Sequence, residues 1–236
     1  MNISLRIRRF NPEADRAPHW ETYALSLEPG DRVLDALLLV KQQFDGTLAL
    51  RRSCAHGICG SDAVRINGRN ALACKVLIGD VAREGGRITV EPLLGLKVIK
   101  DLIVDMTVFY EHYRAVLPYL VNPSPLPADG RERLQTPAAR ERFDDGTRCI
   151  LCAACTTACP PFWASPRYLG PSALVQAHRF IFDDRDQAAA ERLAVLSAAW
   201  GVWRCRTAFN CTTACPRDIP VTRLIGELKN LLATGG

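Results

Sequence analysis

The sequence predicts an α+β protein of two domains, and three observations predict it. Apolar residues alternate with polar ones through about the first hundred positions. In the second half they recur at intervals of three and four. The cysteines fall into groups of different spacing on either side of that change. Alternation marks half-buried strands, and the three-and-four interval marks amphipathic helices. The division falls near residue 105, giving domains over 1–105 and 106–236.

The elements follow in order. Ile3, Leu5 and Ile7 alternate with polar neighbours as a strand does, and Trp20–Leu27 forms the second arm of a hairpin after the turn-like Asn11–Pro18. A helix comes next, capped by Asp31, with Val33, Leu34, Leu37, Leu38 and Val40 on its apolar face, and Gly46 closes it. Arg51–Asp62 is a Gly- and Cys-rich loop, and short strands lie near Ala63–Ile66 and Arg87–Glu91. Further on, Met106, Phe109, Tyr110, Tyr113, Leu117 and Leu120 form the core-facing stripe of a helix. Asn122–Arg148, rich in Pro, Asp and Arg, reads as an irregular linker. Two Cys-rich segments follow, Cys149–Pro160 and Cys205–Pro216, with a helix over Gln187–Trp203 between them and a last helix over about Val221–Leu232.

Composition excludes several function classes. Apolar residues make up 48% of the 236, enough for real cores. The net charge of +5 comes from scattered arginines without a dense basic run and interleaved aromatics, so no nucleic acid is expected as a partner. Met1–Phe10 alternates apolar and basic residues and has no apolar h-region of an export signal. The uncharged run Cys149–Pro166 reaches spanning length, but its Cys, Pro and Thr make it a ligand segment, so any membrane attachment has to come from a partner. Ten cysteines without an export signal then point to metal and not to disulfides.

The first constellation is Cys54, Cys59, Asp62 and Cys74. It has the spacing of a plant-type [2Fe–2S] loop if Asp62 takes the third position. A carboxylate is a harder iron ligand than thiolate, and Ser61 or water is the alternative donor. Gly57 and Gly60 let the loop turn and aim N–H groups at the sulfurs. Cys54 and His56 also match the start of a Rieske pair, yet the next histidines, His112 and His178, are far along the chain, so His56 is read as a solvent-edge residue.

Cys149, Cys152, Cys155 and Cys159-Pro160 form the bacterial ferredoxin run, whose fourth Cys serves the other cluster. The partner run is Cys205, Cys211 and Cys215-Pro216, with Ala208 where the template has its second Cys. One cluster therefore receives Cys149, Cys152, Cys155 and Cys215, a full set for [4Fe–4S]. The other receives Cys159, Cys205 and Cys211 against an apolar fourth corner, which suits [3Fe–4S]. The three sets use all ten cysteines. Zinc, the main structural alternative, prefers closed four-ligand sites built of paired halves and leaves the Cys-Pro endings and the missing Cys unexplained.

These residues resemble the iron–sulfur subunits of succinate dehydrogenases and the related fumarate reductases. The likeness is carried by Arg51–Asp62 (RRSCAHGICGSD), Asn67–Cys74 (NGRNALAC), Cys149–Cys155 (CILCAAC), Cys159–Trp163 (CPPFW) and Arg179–Arg185 (RFIFDDR), and it covers about residues 3–232. The resemblance implies a β-grasp plant-type ferredoxin domain followed by an all-α, bacterial-ferredoxin-like domain. It implies a separate flavoprotein subunit that oxidises succinate with FAD. Electrons then pass singly through [2Fe–2S], [4Fe–4S] and [3Fe–4S] to quinone in membrane anchor subunits, which carry haem b in some relatives. It places the chain on the cytoplasmic face of a bacterial inner membrane and puts no catalytic residue for succinate on it.

The family's quinone site, beside [3Fe–4S], carries over to Pro160, Trp163, Arg206 and Ala208. Many relatives have a second Trp where this chain has Ala164 and His where it has Arg206. The loss of an indole donor opens menaquinone as well as ubiquinone as the acceptor. Many relatives also have Cys where Asp62 stands, although some bacterial succinate dehydrogenases carry Asp, which favours succinate oxidation over the alternative of fumarate reduction. A zinc-stabilised scaffold and a two-cluster ferredoxin-type subunit of another oxidoreductase, such as a heterodisulfide reductase, are the remaining readings.

Overall fold

A computed structural model describes residues 1–235. In chain order the elements are β1 (Asn2–Arg9), β2 (His19–Ser26), α1 (Val33–Gln43), β3 (Ala63–Ile66), β4 (Arg69–Leu72), α2 (Ile78–Val81), β5 (Arg87–Glu91), β6 (Val98–Lys100), β7 (Ile103–Val104), α3 (Thr107–Ala115), α4 (Pro137–Glu141), α5 (Asp144–Thr147), α6 (Ala154–Thr157), α7 (Pro160–Ala164), α8 (Gly170–Ile181), α9 (Ala189–Ser197), a single 3-10 turn (Val202–Arg204), α10 (Asn210–Thr213) and α11 (Val221–Thr234). The chain forms two compact units, Met1–Met106 with Ile150–Ala158, and Thr107–Cys149 with the residues from Cys159 on.

In the first unit five strands pair in the order β2-β1-β5-β3-β4. The pairings are antiparallel except that β1 runs parallel to β5. Parallel neighbours need a crossover, and α1 lies in the connection that supplies it. The result is a β-grasp, a mixed sheet with α1 in the crossover. Ile3, Leu5 and Ile7 of β1, Ile88 and Val90 of β5, and Leu34, Leu37 and Val40 of α1 are buried as the core. The alternation in β1 ends on a charge, because Arg9 takes the next inward position and is also buried. Its guanidinium reaches Asp101 at 3.0 Å, Glu21 at 2.6 Å and Asp45 at 2.5 Å, and donates to Thr47 Oγ1 at 3.0 Å. Burial opposes that charge, but the carboxylates outweigh it and raise the Arg9 pKa. Asp101 also accepts the Phe10 and Ala49 N–H groups at 2.9 and 2.8 Å. It thus ties the end of β1 to the chain that leads into the Cys54 loop.

The helix start differs from the expectation. The cap residue of α1 is Arg32, whose N–H donates to Asp35 Oδ2 at 2.9 Å, while Asp31 turns back to accept the Glu28 N–H at 2.8 Å. The helix ends at Gln43, before Gly46. A segment from late in the chain completes this unit: α6 packs on β4, with Asn70 Nδ2 donating to Ala154 O at 3.0 Å and Thr157 Oγ1 at 2.9 Å.

The second unit is helical and centred on α8, which packs against α11, α5, α3 and α9. All of α8 except Arg179 and Ile181 is buried. It opens on Gly170-Pro171, and its buried positions include the polar Ser172, Gln176 and His178, which is why the sequence pattern does not announce it. Two expected helices are shorter. The stripe from Met106 stops at Ala115, because Leu117 adopts φ +48, and Tyr110 and Leu120 are exposed. Gln187–Trp203 breaks after Ser197 and resumes as the 3-10 turn. The linker is not wholly irregular, since α4 and α5 lie within it. The chain leading into it is held by Arg192, fully buried, which pairs with Asp186 at 2.5 Å and donates to the carbonyls of Val116, Leu117 and Tyr119. No helix among the described residues is long and apolar enough to cross a membrane.

Replacing Asp101 by Ala removes the acceptor of the buried Arg9 Nε and of the Phe10 and Ala49 N–H groups, while Glu21 and Asp45 still face the guanidinium, so the full chain should lose about 3 kcal/mol in denaturant unfolding. A second outcome concerns pH. His178 on α8 is buried, with Nε2 2.8 Å from Glu227 Oε2 on α11, and Arg142 Nη1 donates to the same oxygen at 2.6 Å. Burial holds the His178 pKa down although Glu227 pulls it up. At Glu227 burial acts upward, but His178 and Arg142 prevail and lower it. Both folded-state values are depressed. The His178 contribution is therefore present above its unfolded value of about 6.5 and is lost as pH falls below it, whereas that of Glu227 is lost only below the ordinary carboxylate value of about 4.3. The unfolding midpoint should drop in mild acid, and His178→Gln should remove most of that slope.

Candidate iron–sulfur centres and the adjoining groove

The loop after α1 wraps one sulfur. Ala55, Gly57 and Gly60 take φ +59, +83 and +69. These turns bring three N–H groups onto Cys54 Sγ, from His56 at 3.5 Å, Ile58 at 3.4 Å and Cys59 at 3.3 Å. Their combined field pushes the Cys54 thiol down to about 6. A thiolate is the form that binds iron, so the loop is pre-organised for ligation. Cys59 Sγ lies 3.2 Å from Ser61 Oγ, and His56 is exposed, as expected.

Asp62 and Cys74 meet on the inner side. Asp62 is buried, its Oδ2 accepts the Cys74 N–H at 2.6 Å, and its Oδ1 is buried without a hydrogen-bond partner. Burial, and then the Asp62 carboxylate, push the Cys74 thiol up to about 12. A thiol and a carboxyl side by side in a dry place, one with an unsatisfied oxygen, fit a cationic centre, which would take the place of the Cys74 proton. The residues therefore fit a [2Fe–2S] group.

The two Cys-rich runs share a backbone. Leu151 and Ala153 take φ +54 and +63, and the corresponding Thr207 and Phe209 take +56 and +62. Each run then enters a one-turn helix, α6 or α10, capped by a left-handed residue. Positions correspond one for one: Cys149 with Cys205, Cys155 with Cys211, Cys159 with Cys215, and Cys152 with Ala208. Non-glycine residues at positive φ are uncommon and strained, and they cluster where a ligand demands the geometry. Here the alternating turns aim successive N–H groups inward, as an anion-binding nest does.

In the second unit Cys159, Cys205 and Cys211 line one hollow, with Pro160, Pro171, Ala208, Phe209 and Thr222. Burial pushes Cys159 up to about 12, and Cys211 and Cys205 add to it. Burial also raises Cys211, whose Sγ is 3.5 Å from Thr222 Oγ1, a neighbour with no signal in the cysteine pattern. Cys215 is raised by burial, and Cys149 adds to that. Cys152 and Cys155 lie on the segment that packs with the first unit. There a Cβ on Gly60 would come 2.6 Å from Cys152 Cβ, so the first cluster loop passes directly against this cysteine.

Among the described residues no three His, Cys, Asp or Glu side chains gather tightly enough for a single ion. A mononuclear zinc site needs four donors about 2.3 Å from one centre, whereas a polynuclear cluster spreads its thiolates apart.

A groove adjoins the hollow. Pro160, Pro161, Ala164, Ser165, Tyr168, Trp200, Arg204, Arg206 and Ala208 line it. Of the four residues expected around a quinone, Pro160, Arg206 and Ala208 are on its wall. Trp163 is half-exposed on α7 and is not part of it.

The fold and these sites define a two-domain iron–sulfur protein of the ferredoxin kind. Comparison with known proteins agrees. A 2Fe-2S iron-sulfur cluster binding domain model matches residues 4–111, and a 4Fe-4S dicluster domain model matches residues 142–216. The succinate dehydrogenase iron-sulfur subunit of Coxiella burnetii is 40% identical over 230 residues, 96% of this chain and 95% of that one. The mitochondrial succinate dehydrogenase (ubiquinone) iron-sulfur subunit of Candida glabrata is 42% identical over 233 residues, 98% and 91% of the two chains. A chain of the Mycobacterium smegmatis Sdh1 complex in the apo form has a TM-score of 0.89 at 25% identity, covering 99% of this chain and 96% of that one. The chain belongs to the succinate dehydrogenase iron–sulfur subunit family.

Asp62→Ala should lose the [2Fe–2S] group while Asp62→Cys keeps it, read as iron and acid-labile sulfide per chain. Full cluster content in Asp62→Ala would remove Asp62 from the ligands.

Proposed function

We propose that this chain is the electron-carrying iron–sulfur subunit of a membrane-bound succinate:quinone oxidoreductase of the tricarboxylic acid cycle and respiratory chain. Cys54, Cys59, Asp62 and Cys74 hold [2Fe–2S]. Cys149, Cys152, Cys155 and Cys215 hold [4Fe–4S]. Cys159, Cys205 and Cys211 hold [3Fe–4S]. The observation that carries this reading is the duplicated backbone of the two Cys-rich runs, with Ala208 in the slot that Cys152 fills in the first. Family membership supports the direction, since both curated relatives are named succinate dehydrogenases.

Each part of the chain has a task. When bound, the clusters supply one-electron carriers between a two-electron flavin and a quinone. The N–H groups of His56, Ile58 and Cys59 stabilise the Cys54 thiolate, which favours the ionised ligand before iron arrives. Gly60, by touching Cys152, keeps the path between the first two ligand sets short. The Ala208 methyl offers no donor, so the third site stops at three irons. The groove walled by Pro160, Arg206 and Ala208 takes the quinone, with Arg206 as donor to a carbonyl oxygen. A flavoprotein with FAD supplies the electrons. Anchor subunits, with or without haem b, hold the chain to the cytoplasmic face of the inner membrane.

Electron paramagnetic resonance tests the assignment. The air-oxidised complex should show one sharp [3Fe–4S] signal, replaced on reduction by signals from the other two clusters. Ala208→Cys should convert the oxidised signal to silence by admitting a fourth iron. An oxidised wild-type sample that is silent although it contains iron would end the reading of Ala208.

A further inference from the structure

The mouth of the groove carries a feature that the electron path does not use. Trp200 sits where the chain turns from α9 into the 3-10 turn. Gly201 follows so tightly that a Cβ on it would lie 2.0 Å from the Leu196 carbonyl oxygen. The Trp200 carbonyl accepts the Leu169 N–H at 3.1 Å, so the indole is held in a fixed place beside Tyr168. Two guanidinium groups stack on it, Arg167 Cζ at 4.0 Å and Arg204 Cζ at 4.2 Å from the ring centroid. Arg204 Nε donates to Ala199 O at 2.9 Å, which fixes that guanidinium further. Arg206 lines the same groove.

Charge is the unexplained part. Arg167, Arg204 and Arg206 are all exposed, and none forms an ion pair with a carboxylate among the described residues. No Asp or Glu lines the groove, whereas Ser165 and Tyr168 do. Three like charges held together without a counter-ion repel, and the stacking on Trp200 keeps two of them from swinging apart. Planar guanidinium forks match a phosphate group. Exposed aromatic residues come from the same short stretches of chain: Trp163 from α7, Trp203 from the 3-10 turn and Phe209 from the wall of the neighbouring hollow. A free phosphate satisfies the arginines only. A phospholipid brings phosphate for the arginines and an interface for the aromatic rings, which favour the boundary between headgroups and hydrocarbon.

We propose that the Arg167–Trp200–Arg204 platform, with Arg206 at its edge, binds the phosphate headgroup of an anionic phospholipid at the mouth of the groove. This holds whether or not a quinone occupies the groove behind it.

The test uses the full chain with its clusters in place, floated with phosphatidylcholine vesicles that contain or lack phosphatidylglycerol. Binding should require phosphatidylglycerol and weaken with salt. It should fall about fivefold for Arg167→Gln and again for Arg204→Gln, with cluster resonance signals unchanged in both. Inorganic phosphate at the same phosphate concentration should not displace the vesicles. Equal binding to both vesicle types, or undiminished binding by the double variant, would overturn the proposal. Complete displacement by inorganic phosphate would make this a free-phosphate site and equally overturn it. A third arm uses the purified complex. If the variants shed other subunits while retained phospholipid is unchanged, the platform is a protein contact and not a lipid site.

Discussion

The constraint on which the rest of this protein depends is the gathering of anionic ligands where water is scarce. Burial, and then neighbouring cysteines, raise the proton affinity of Cys159 and Cys211, and burial with the Asp62 carboxylate raises that of Cys74. Left to themselves such groups protonate or move apart. They stay only because the backbone places them there and because iron offsets their charge. Two devices meet that demand. At Cys54 the N–H groups come straight to the sulfur. In the two Cys-rich runs they are turned inward by residues in the left-handed region.

Strained backbone needs a rigid surround, and the surround differs between the units. In the first, a β-grasp sheet and the Arg9–Asp101 network pin the chain on both sides of the cluster loop. In the second, the buried helix α8 and the Arg192–Asp186 pair hold chain that has little regular structure of its own. Both networks place a buried arginine among several acceptors. That arrangement gives geometry more reliably than it gives net stability, because desolvating the charges consumes much of what their attraction contributes.

The duplicated run shows how a small change in ligand chemistry follows from one position. The backbone at Thr207–Phe209 repeats that at Leu151–Ala153 almost angle for angle, yet the central residue is Ala208 in one and Cys152 in the other. The nest is kept and the donor removed. The same position lines both the hollow and the adjoining groove.

Much of this was legible in the sequence, because cluster loops are local. Spacing along the chain sets which sulfurs can share one centre, and alternation sets β1, β2, β3 and β5. Asp62 was legible as a residue out of pattern, but its orphaned Oδ1 and its bond to Cys74 depend on folding the loop over itself. The helix α8 was hidden because it begins with Gly170-Pro171 and buries polar Ser172, Gln176 and His178 among its apolar residues. The Thr222 hydroxyl against Cys211, and the stacking of Arg167 and Arg204 on Trp200, join positions that no motif relates. The sequence by itself determined the order of the two ferredoxin-like domains and the spacing of the cysteine runs they carry, since these follow from donor identity and short-range spacing. Only the tertiary structure decided which donors are dry, which arginines lack a counter-ion and what walls the groove, since burial and unpaired charge are properties of neighbours brought together by long-range packing.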